Sequence, residues 1–369
     1  MINVLEVNVD DLCSGGVFSL VKNVIKNKDS SFHIDIAAIE EFEKKENVEM
    51  LSNYGCKVYY IGYKKNKIKK QFVAYKNLKK LIKERKYDCV HIHADVANKL
   101  LVSGLAAKNA GAKKVILHSH AAGVDGNHRF IKRIIHYFCR VFLKGIGTDF
   151  VACSDLAAEW MFPNMDKENI QIIKNGIDLK KFEYNPGKRS QIRAQMGLSS
   201  DIVLGHVGRF AYQKNHDYLI QIVETIKTIN KSARLLLIGE GPDENRIRTL
   251  VHEKELDDIV IFYGTSTAVN DLFQAMDIFL LPSHFEGLPI VGVEAQASGL
   301  PVLFSDQITR EAKITEPVEF LKITQDGIQE WVNKVQMYSN YNRHDTYSEL
   351  KKKGFSIQDT VNDFLKLYQ

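Results

Sequence analysis

Short apolar segments alternate with longer helical segments along the whole chain, and this alternation constrains the fold more than any other feature. Twelve segments are typical of strands: 2–8, 32–38, 57–61, 89–93, 114–117, 149–153, 170–174, 202–207, 234–238, 259–263, 278–281 and 302–304. Several are continuous apolar runs, which suit parallel strands covered on both faces by helices. Because the strand–helix alternation is carried through twice, the sequence predicts an α/β protein with two doubly wound parallel-sheet domains.

Glycine and proline cluster between residues 175 and 187, and this cluster predicts the boundary between the two domains. The expected first domain covers residues 1–180, and the expected second domain covers 186–350. A short helix is predicted over 191–196, where Gly197 ends it. A terminal helix over 357–368, within the last segment 355–369, has apolar residues at helical spacing.

Cysteine usage and hydropathy bear on the compartment. The five cysteines form no C-x-x-C pair, and their odd number gives no disulfide framework, which favours a reducing compartment. The first residues alternate like a strand and lack the pattern of a secretory leader. No apolar run approaches the ~20 residues that span a bilayer. The sequence therefore predicts a cytoplasmic protein that is soluble or at most peripheral on the inner membrane surface.

Positive charge is concentrated in the first half of the chain. Residues 1–180 hold 29 Lys and Arg against 20 Asp and Glu, whereas the remainder holds 21 against 25. Most of the excess lies between Lys64 and Lys86, with eleven basic residues and one acid, Glu84. This stretch is either a solvated lysine-rich helix face or a contact for anionic lipid headgroups or a polyphosphate acceptor. Nucleic acid is not expected as a partner, because no recognised nucleic-acid motif accompanies the charge.

Two glutamates eight residues apart follow the apolar run 278–281. Both Glu286, in the loop, and Glu294, in the following helix, are in position to line one ligand, and a carboxylate accepts two hydroxyl hydrogen bonds at once. Backbone N–H groups at the start of a helix favour phosphate or sugar oxygens. The plainer interpretation, a capped surface helix with two incidental glutamates, fits this Pro- and Gly-rich context less well. The binding residues predicted here are Glu286, Gly287, Leu288, Pro289 (in the first helical turn), Ile290 and Glu294.

Two cations follow the first strand of the second domain. Arg209 offers a planar fork of donors and Lys214 a mobile point charge, which together suit a diphosphate leaving group. An ordinary pair of surface cations is the alternative, but the strand-end position and nearby glycines favour phosphate.

A glycine pair and a histidine pair follow strands of the first domain. Gly15 and Gly16 permit close approach of backbone to an anion, although a tight turn needs the same residues. His118 and His120 lack further ligands at zinc spacing, and the chain contains no D-x-D pair, so no metal is expected. His91 and His93 are interpreted as strand residues without an assigned role.

Taken together, these segments resemble the retaining glycosyltransferases of family 4, which have the GT-B fold. The resemblance covers most of the chain and rests on the order and spacing of its motifs. The transferases most similar in character build capsular or exopolysaccharide repeat units on a lipid carrier. The segments concerned are Gly15-Gly16, His118-Ser119-His120, Ala152-Cys153-Ser154, Asn175-Gly176-Ile177-Asp178, Gly208-Arg209 with Lys214, Gly239-Glu240-Gly241-Pro242, Phe285 to Glu294, and Gly299-Leu300-Pro301-Val302.

The resemblance implies a role for each matching residue. Glu286 would face the donor sugar and Glu294 the ribose hydroxyls, while Arg209 and Lys214 would bind the donor diphosphate. Gly16 would belong to the loop over the phosphates. His120 would lie near the reacting sugar carbon, although His118 competes for that assignment. The family also implies two Rossmann-like domains facing a central cleft, with the C-terminal helix crossing back to the first domain.

The implied reaction is a metal-independent hexosyl transfer with retention of configuration. Arg209, Lys214 and helix N–H groups would stabilise the departing diphosphate, whose oxygen takes the acceptor's proton on the same face. The donor is expected to be a UDP-sugar, with GDP second, and the acceptor a lipid-linked or other saccharide. The alternatives are a catalytically silent GT-B subunit that scaffolds an active partner, and a sugar-nucleotide epimerase or hydrolase on the same fold.

Overall fold

The computed structural model describes residues 1–11, 16–62, 67–198 and 200–369. They form two compact units: unit 1 comprises Met1–Gly176 and Ile357–Gln369, and unit 2 comprises Ile177–Ser356. The chain therefore leaves unit 1 after Gly176 and returns to it for the last helix. Gly15, Lys64 and Lys65, which carry part of the predictions above, lie outside the described residues.

Unit 1 contains one sheet of seven parallel strands. The strands are β1 (Ile2–Val7), β2 (Phe32–Ala38), β3 (Val58–Tyr60), β4 (Cys89–Ala94), β5 (Lys114–Ser119), β6 (Asp149–Ala152) and β7 (Ile170–Ile172). Their order across the sheet is β3-β2-β1-β4-β5-β6-β7. Neighbours run parallel throughout, with Glu6 of β1 opposite His91 of β4, and His93 of β4 opposite His118 of β5.

Helices connect these strands. They are α1 (Gly16–Asn27), α2 (Lys45–Asn53), α3 (Lys67–Arg85), α4 (Ala97–Ala110), α5 (Arg129–Arg140) and α6 (Asp155–Met161), with 3-10 turns at Leu143–Gly145 and Lys167–Asn169. After unit 2, the chain adds the terminal helix to unit 1, with buried Val361, Phe364 and Leu367 on its inner face. This last helix packs on α1, so residues at the two ends of the sequence share one hydrophobic core.

Unit 2 repeats the design with six parallel strands. They are β8 (Ile202–Val207), β9 (Ala233–Ile238), β10 (Val260–Gly264), β11 (Ile278–Leu281), β12 (Val302–Ser305) and β13 (Val318–Leu321), in the order β10-β9-β8-β11-β12-β13. The helices are α7 (Leu179–Phe182), α8 (Pro186–Gln195), α9 (His216–Ile229), α10 (Glu244–Glu253), α11 (Val269–Ala275), α12 (Ile290–Ala297), α13 (Ile328–Tyr338) and α14 (Tyr347–Lys352), and α15 (Ile357–Tyr368) is the terminal helix of unit 1. Three-residue 3-10 turns lie at Tyr212–Lys214, Arg310–Ala312 and Gln325–Gly327.

The two parallel sheets and the α/β class confirm the predicted fold class. Every predicted strand is present, with ends shifted by a few residues at most. Strand β13 was missed because its four residues include the charged Glu319 and follow a short loop without a clear helix before it. The helix predicted over 191–196 begins earlier, at Pro186, since the Asn185 side chain accepts a hydrogen bond from Lys188 N and caps it. No helix among the described residues has the length and apolar character needed to cross a membrane.

Candidate active site

The strand order of each sheet reverses direction beside its first strand. In unit 2, β8 has β9 on one side and β11 on the other, so successive connections diverge from the boundary between β8 and β11. Such a switch point opens a crevice at the carboxyl ends of the strands, and ligands of doubly wound sheets bind there. The loops that follow β8 and β11 carry Lys214 and Glu286, the residues predicted from the sequence.

The structure brings Lys214 and Glu286 into direct contact. Lys214 Nζ lies 2.7 Å from Glu286 Oε1, which also accepts a hydrogen bond from the Ser283 hydroxyl at 2.9 Å. Gln213 Nε2 donates to Glu286 Oε2 at 3.0 Å. The Glu286 carboxylate is thus buried among three donors, a charge-assisted arrangement that fixes both the glutamate and the lysine.

Backbone contacts hold the two loops in place. His284 N donates to the Gln213 carbonyl at 2.8 Å, and the rings of Tyr212 and His284 stack with centroids 4.2 Å apart. At Gly208, a β-carbon would lie 2.9 Å from Lys214 Cε, so the glycine leaves room for the lysine stem. At Gly239, which has φ +136°, a β-carbon would lie 2.1 Å from the Gly208 carbonyl oxygen. The loop after β9 therefore lies too close to the Gly208 backbone for a side chain at position 239.

The remaining predicted residues of unit 2 lie on the same loops, but the structure does not bring all of them to Glu286. Arg209 is exposed and forms no ion pair with any residue of the described chain. Gly287 and Leu288 are buried in the loop, and Ile290 is the first residue of α12. Pro289 is the N-cap residue with ψ 107°, not a residue of the first turn as predicted, because its extended backbone precedes the helix.

Glu294 lies one turn into α12 and is only partly exposed. Burial raises the pKa of its carboxyl group to about 8, and the positive charge of Lys181 opposes this shift. Helix α7, which carries Lys181, packs on α12. Glu294 therefore retains its proton to a much higher pH than an ordinary glutamate, and in that form it is a hydrogen-bond donor as well as an acceptor.

Unit 1 has its own polar cluster at the switch point between β1 and β4. His120, which directly follows β5, has its Nε2 atom 2.8 Å from His93 Nδ1. His93 Nε2 in turn lies 2.5 Å from Glu6 Oε2. A continuous hydrogen-bonded chain thus joins the predicted site histidine to a fully buried carboxylate on the first strand.

A second branch leads from the same carboxylate. Tyr368, from the terminal helix, donates its hydroxyl proton to Glu6 Oε1. His91 Nδ1 lies 3.3 Å from Glu6 Oε2, and His91 Nε2 lies 3.1 Å from His118 Nδ1. His118 is fully buried and its Nε2 atom has no hydrogen-bond partner. Of the two histidines that the sequence left in competition, His120 is therefore the partly exposed one and His118 belongs to the interior.

The charges of this cluster define the positions of its protons. Burial by itself raises the pKa of Glu6, but His91 and His93 lower it well below the usual range, so Glu6 is ionised. Burial lowers the pKa of His93 to about 4 and holds that of His120 well below its usual value. A neutral His93 that donates Nε2–H to Glu6 must accept at Nδ1, and His120 must then donate from Nε2. This pattern leaves Nδ1 of His120 as an acceptor.

The sequence interpretation missed the residues that complete the cluster. The sequence pattern assigns His91 and His93 no role and does not indicate that they lie beside His118. Parallel pairing of β4 with β5 brings His91, His93 and His118 so close that one ring nitrogen of each lies within 4.8 Å of the others. Their mutual hydrogen bonds and Glu6 account for these ring positions. A charged residue inside the apolar strand β1 was the available signal for Glu6.

Family models match both units of the chain. Residues 16–181 match the family described as Glycosyltransferase Family 4, and residues 188–353 match the family described as Glycosyl transferases group 1. Between them, the two matches cover both sheets except for β1, together with the loops that carry Lys214 and Glu286.

Relatives with similar sequences carry glycosyltransferase names. EpsF of Bacillus subtilis, named as a glycosyltransferase, is 28% identical over 365 residues, which cover 96% of this chain and 93% of EpsF. The UDP-Gal:alpha-D-GlcNAc-diphosphoundecaprenol alpha-1,3-galactosyltransferase of Escherichia coli is 27% identical over 236 residues, 62% of this chain and 60% of that enzyme.

Solved structures share the fold. HepE of Anabaena in complex with UDP and glucose matches with a TM-score of 0.79 at 15% identity, over 99% of each chain. The sucrose-phosphate synthase of Thermosynechococcus elongatus matches with a TM-score of 0.79 at 16% identity, over 100% of this chain and 98% of that one. At these identities the likeness establishes the fold, which is GT-B, with two Rossmann-like domains.

The proton pattern around Glu6 predicts the effect of Glu6→Gln. Because the Tyr368 hydroxyl donates to the Oε1 position, the amide oxygen should take that position and the amide NH2 should donate to His93 Nε2. His93 would then carry its proton on Nδ1, and His120 would change from the Nε2–H to the Nδ1–H tautomer.

Long-range proton–nitrogen NMR of protein labelled with 15N-histidine measures this change, with His120→Gln to assign the signals. Asp35→Asn is the matched control: Asp35 is a buried carboxylate on β2 that accepts from Tyr87 at 2.7 Å, outside the histidine chain. An unchanged His120 tautomer in Glu6→Gln would contradict the assignment.

The raised pKa of Glu294 predicts a pH-dependent stability difference between the wild type and Glu294→Gln. Because the folded state holds this proton more tightly than the unfolded state between pH 4.5 and about 8, the carboxyl contributes stability at low pH that is lost as pH rises through this window. The unfolding free energy of the wild type minus that of the variant should fall by about 2–3 kcal/mol across this pH range. This value is smaller than the full pKa shift would give, because the Glu294 side chain is partly exposed.

Urea unfolding at several pH values measures this difference. Trp331 fluorescence reports on unit 2 in a Trp160→Phe background, because these are the two tryptophans of the chain. Glu253→Gln, at an exposed position on α10, is the control and should leave the pH dependence of the wild type intact. A difference between wild type and Glu294→Gln that stays constant with pH would count against the assigned pKa.

Proposed function

We propose that the chain moves a sugar from a nucleotide diphosphate sugar to a saccharide or lipid-linked acceptor, with retention of configuration and without a metal ion. The matches of unit 1 to glycosyltransferase family 4 and of unit 2 to glycosyl transferases group 1 support this proposal. The donor is proposed to be a UDP-sugar. Most of its proposed binding residues lie in unit 2, on the loops that follow β8 and β11 and on α12.

The contact between Lys214 and Glu286 carries this proposal. These residues are far apart in sequence, yet they meet at the switch point of unit 2, where the fold favours a nucleotide. A partly buried cation beside a buried carboxylate offers a phosphate oxygen and a sugar hydroxyl two complementary partners within one small volume. An arriving diphosphate would draw Lys214 towards itself and leave Glu286 oxygens for the sugar hydroxyls.

The proposed mechanism places positive charge where the leaving group develops negative charge. As the bond between sugar and diphosphate lengthens, Lys214 and the exposed Arg209 stabilise the departing diphosphate, helped by N–H groups around Gly287, Leu288 and Ile290. The acceptor oxygen then bonds to the sugar carbon on the face that the leaving group vacates, while a diphosphate oxygen accepts the proton of that hydroxyl, so configuration is retained. Glu286 orients the sugar and is not proposed as a covalent nucleophile.

The other predicted residues complete the donor and sugar contacts. Glu294 is proposed to bind the ribose hydroxyls, for which both protonation states of its carboxyl are suitable partners. Gly16, at the exposed start of α1, is proposed to approach the phosphates, since a residue without a side chain leaves helix N–H groups accessible. His120 is proposed to contact the reacting sugar through its Nδ1 acceptor.

The names of the relatives support a place in surface polysaccharide biosynthesis. The Escherichia coli relative is named for a UDP-galactose donor and a diphosphoundecaprenol-linked acceptor, and HepE was solved with UDP-glucose. Both names support a UDP-sugar donor for this chain. The Escherichia coli name also favours a saccharide acceptor carried on a lipid diphosphate. Use of water as the acceptor would instead make the enzyme a hydrolase.

A ligand screen tests the proposed function. A bound donor stabilises the folded state by mass action, so UDP-sugars should raise the melting temperature in a thermal-shift screen more than GDP-, ADP- or dTDP-sugars. UDP release should then depend on an added saccharide or lipid-diphosphate acceptor. Donor binding without turnover would indicate a scaffold subunit instead, and UDP release without any acceptor would indicate a hydrolase.

Removing either cation should abolish transfer without unfolding the protein. Arg209→Ala and Lys214→Ala are each expected to lower kcat about 100–1,000-fold, the typical cost of losing one donor that stabilises transition-state charge. Lys188→Ala is the matched control, because Lys188 pairs with Asp271 at 2.5 Å on the surface of the same unit. Circular dichroism verifies folding in all three variants. Near-normal turnover in Arg209→Ala or Lys214→Ala would refute the diphosphate assignment.

A further inference from the structure

Helix α5 exposes an apolar face that no other described element covers. Phe130 is 78% exposed and Phe138 is 67% exposed, both far outside the range of core aromatic residues. They alternate with other exposed apolar side chains at spacings of three and four residues, which places them on one continuous stripe of the helix. The stripe comprises Phe130, Ile131, Ile134, Ile135, Phe138 and, just beyond the helix, Phe142.

The opposite side of α5 attaches the helix firmly to unit 1. His136 is buried, stacks on the Trp160 ring at 3.9 Å, and accepts a hydrogen bond from Ala97 N at 3.0 Å. Arg140 donates to the Trp160 carbonyl at 3.0 Å, and Cys139 is buried beside it. Because the helix is anchored through a polar histidine, its apolar stripe is not available for the core and points to solvent. A fixed helix with its apolar side outward is the reverse of the usual globular arrangement.

The charged side chains on α5 and in the segment just after it are all basic. Arg129, Lys132, Arg133, Arg140 and Lys144 all lie between residues 126 and 148, and that segment contains no Asp or Glu. If the apolar stripe were buried in a protein partner, these cations would lie against the rim of that interface. An anionic lipid surface, in contrast, accepts the apolar side chains among its acyl chains and the cations at its headgroups. The helix has 12 residues, too few to cross a bilayer, so it can only lie in the plane of the interface.

The lysine-rich helix α3 differs from α5 in one respect. Ala74, Leu78 and Ile82 of α3 are buried, so its apolar side faces the core and Phe72, 59% exposed, is its one large exposed apolar side chain among those described. Both α3 and α5 pack on α4. The two basic helices are therefore neighbours of a common helix, and α3 adds positive charge to the same unit without adding a second apolar stripe.

We propose that α5 docks unit 1 on an anionic phospholipid bilayer, with its apolar stripe inserted among the acyl chains and its cations at the headgroups. The sequence placed the membrane contact between Lys64 and Lys86 from charge alone, whereas the exposed apolar area assigns it to α5, with α3 as an electrostatic supplement. The assignment is independent of sugar transfer, because it concerns binding to lipid and not turnover.

Vesicle flotation of the full chain tests this assignment. The wild type should bind vesicles that contain phosphatidylglycerol, and binding should weaken with salt and with replacement of phosphatidylglycerol by phosphatidylcholine. The double variant Phe130→Ser with Phe138→Ser should lose at least about tenfold in the partition coefficient, because both rings are exposed and their loss leaves the fold intact. The charge variant Arg129→Glu with Lys144→Glu should lose its preference for phosphatidylglycerol.

Phe72→Ser is the matched control, since it makes the same chemical change on the other basic helix and should alter the partition coefficient less than twofold. Equal loss in Phe72→Ser, or wild-type binding by the double variant, would overturn the assignment to α5. Failure of the wild-type protein to bind vesicles that contain phosphatidylglycerol would also overturn the assignment to α5. A dimer in solution that becomes monomeric in the double variant, with no vesicle binding, would show instead that the stripe joins two copies of the chain.

Discussion

Parallel strand order with a reversal beside the first strand is the constraint on which the functional features of both units depend. Crossover connections of parallel strands are right-handed, so chains that proceed from β8 to β9 and later to β11 cover opposite faces of the sheet. The loops after β8 and β11 are left together at one edge, where Lys214 meets Glu286. Unit 1 obeys the same rule, which places Glu6 of β1 beside His91 and His93 of β4.

The two clusters use a buried carboxylate in different ways. Glu286 is surrounded by a lysine, an amide and a hydroxyl near the mouth of its crevice, an environment that a phosphate or a sugar can enter and rearrange. Glu6 lies fully inside unit 1, where its hydrogen-bond partners among the described residues are histidines and Tyr368. Its contact with His93 fixes the ring that in turn bonds His120. Tyr368 belongs to α15, so the orientation of His120 also depends on the packing of this terminal helix in unit 1.

Unit 1 therefore combines three features on one scaffold: the histidine chain at its switch point, the basic helix α3 and the apolar stripe of α5. A lipid-linked acceptor is amphipathic, and an enzyme that uses one benefits from residence at the bilayer surface, where the acceptor is concentrated. The proposed docking through α5 and the proposed contact of His120 with the reacting sugar rest on different residues of unit 1. His136 anchors α5, whereas His93 orients His120.

The sequence alone determined the two parallel sheets, nearly all of their strands, and the loops that carry Arg209, Lys214, Glu286 and Glu294, because strand–helix periodicity and strand-end glycines are local signals. It did not reveal Glu6 and the two histidines of β4, since their proximity depends on strand pairing between residues that lie more than 80 positions apart. It also could not indicate which side of α5 faces solvent. An amphipathic pattern specifies that two faces differ, and only the packing of His136 against Trp160 decided which one the fold leaves exposed.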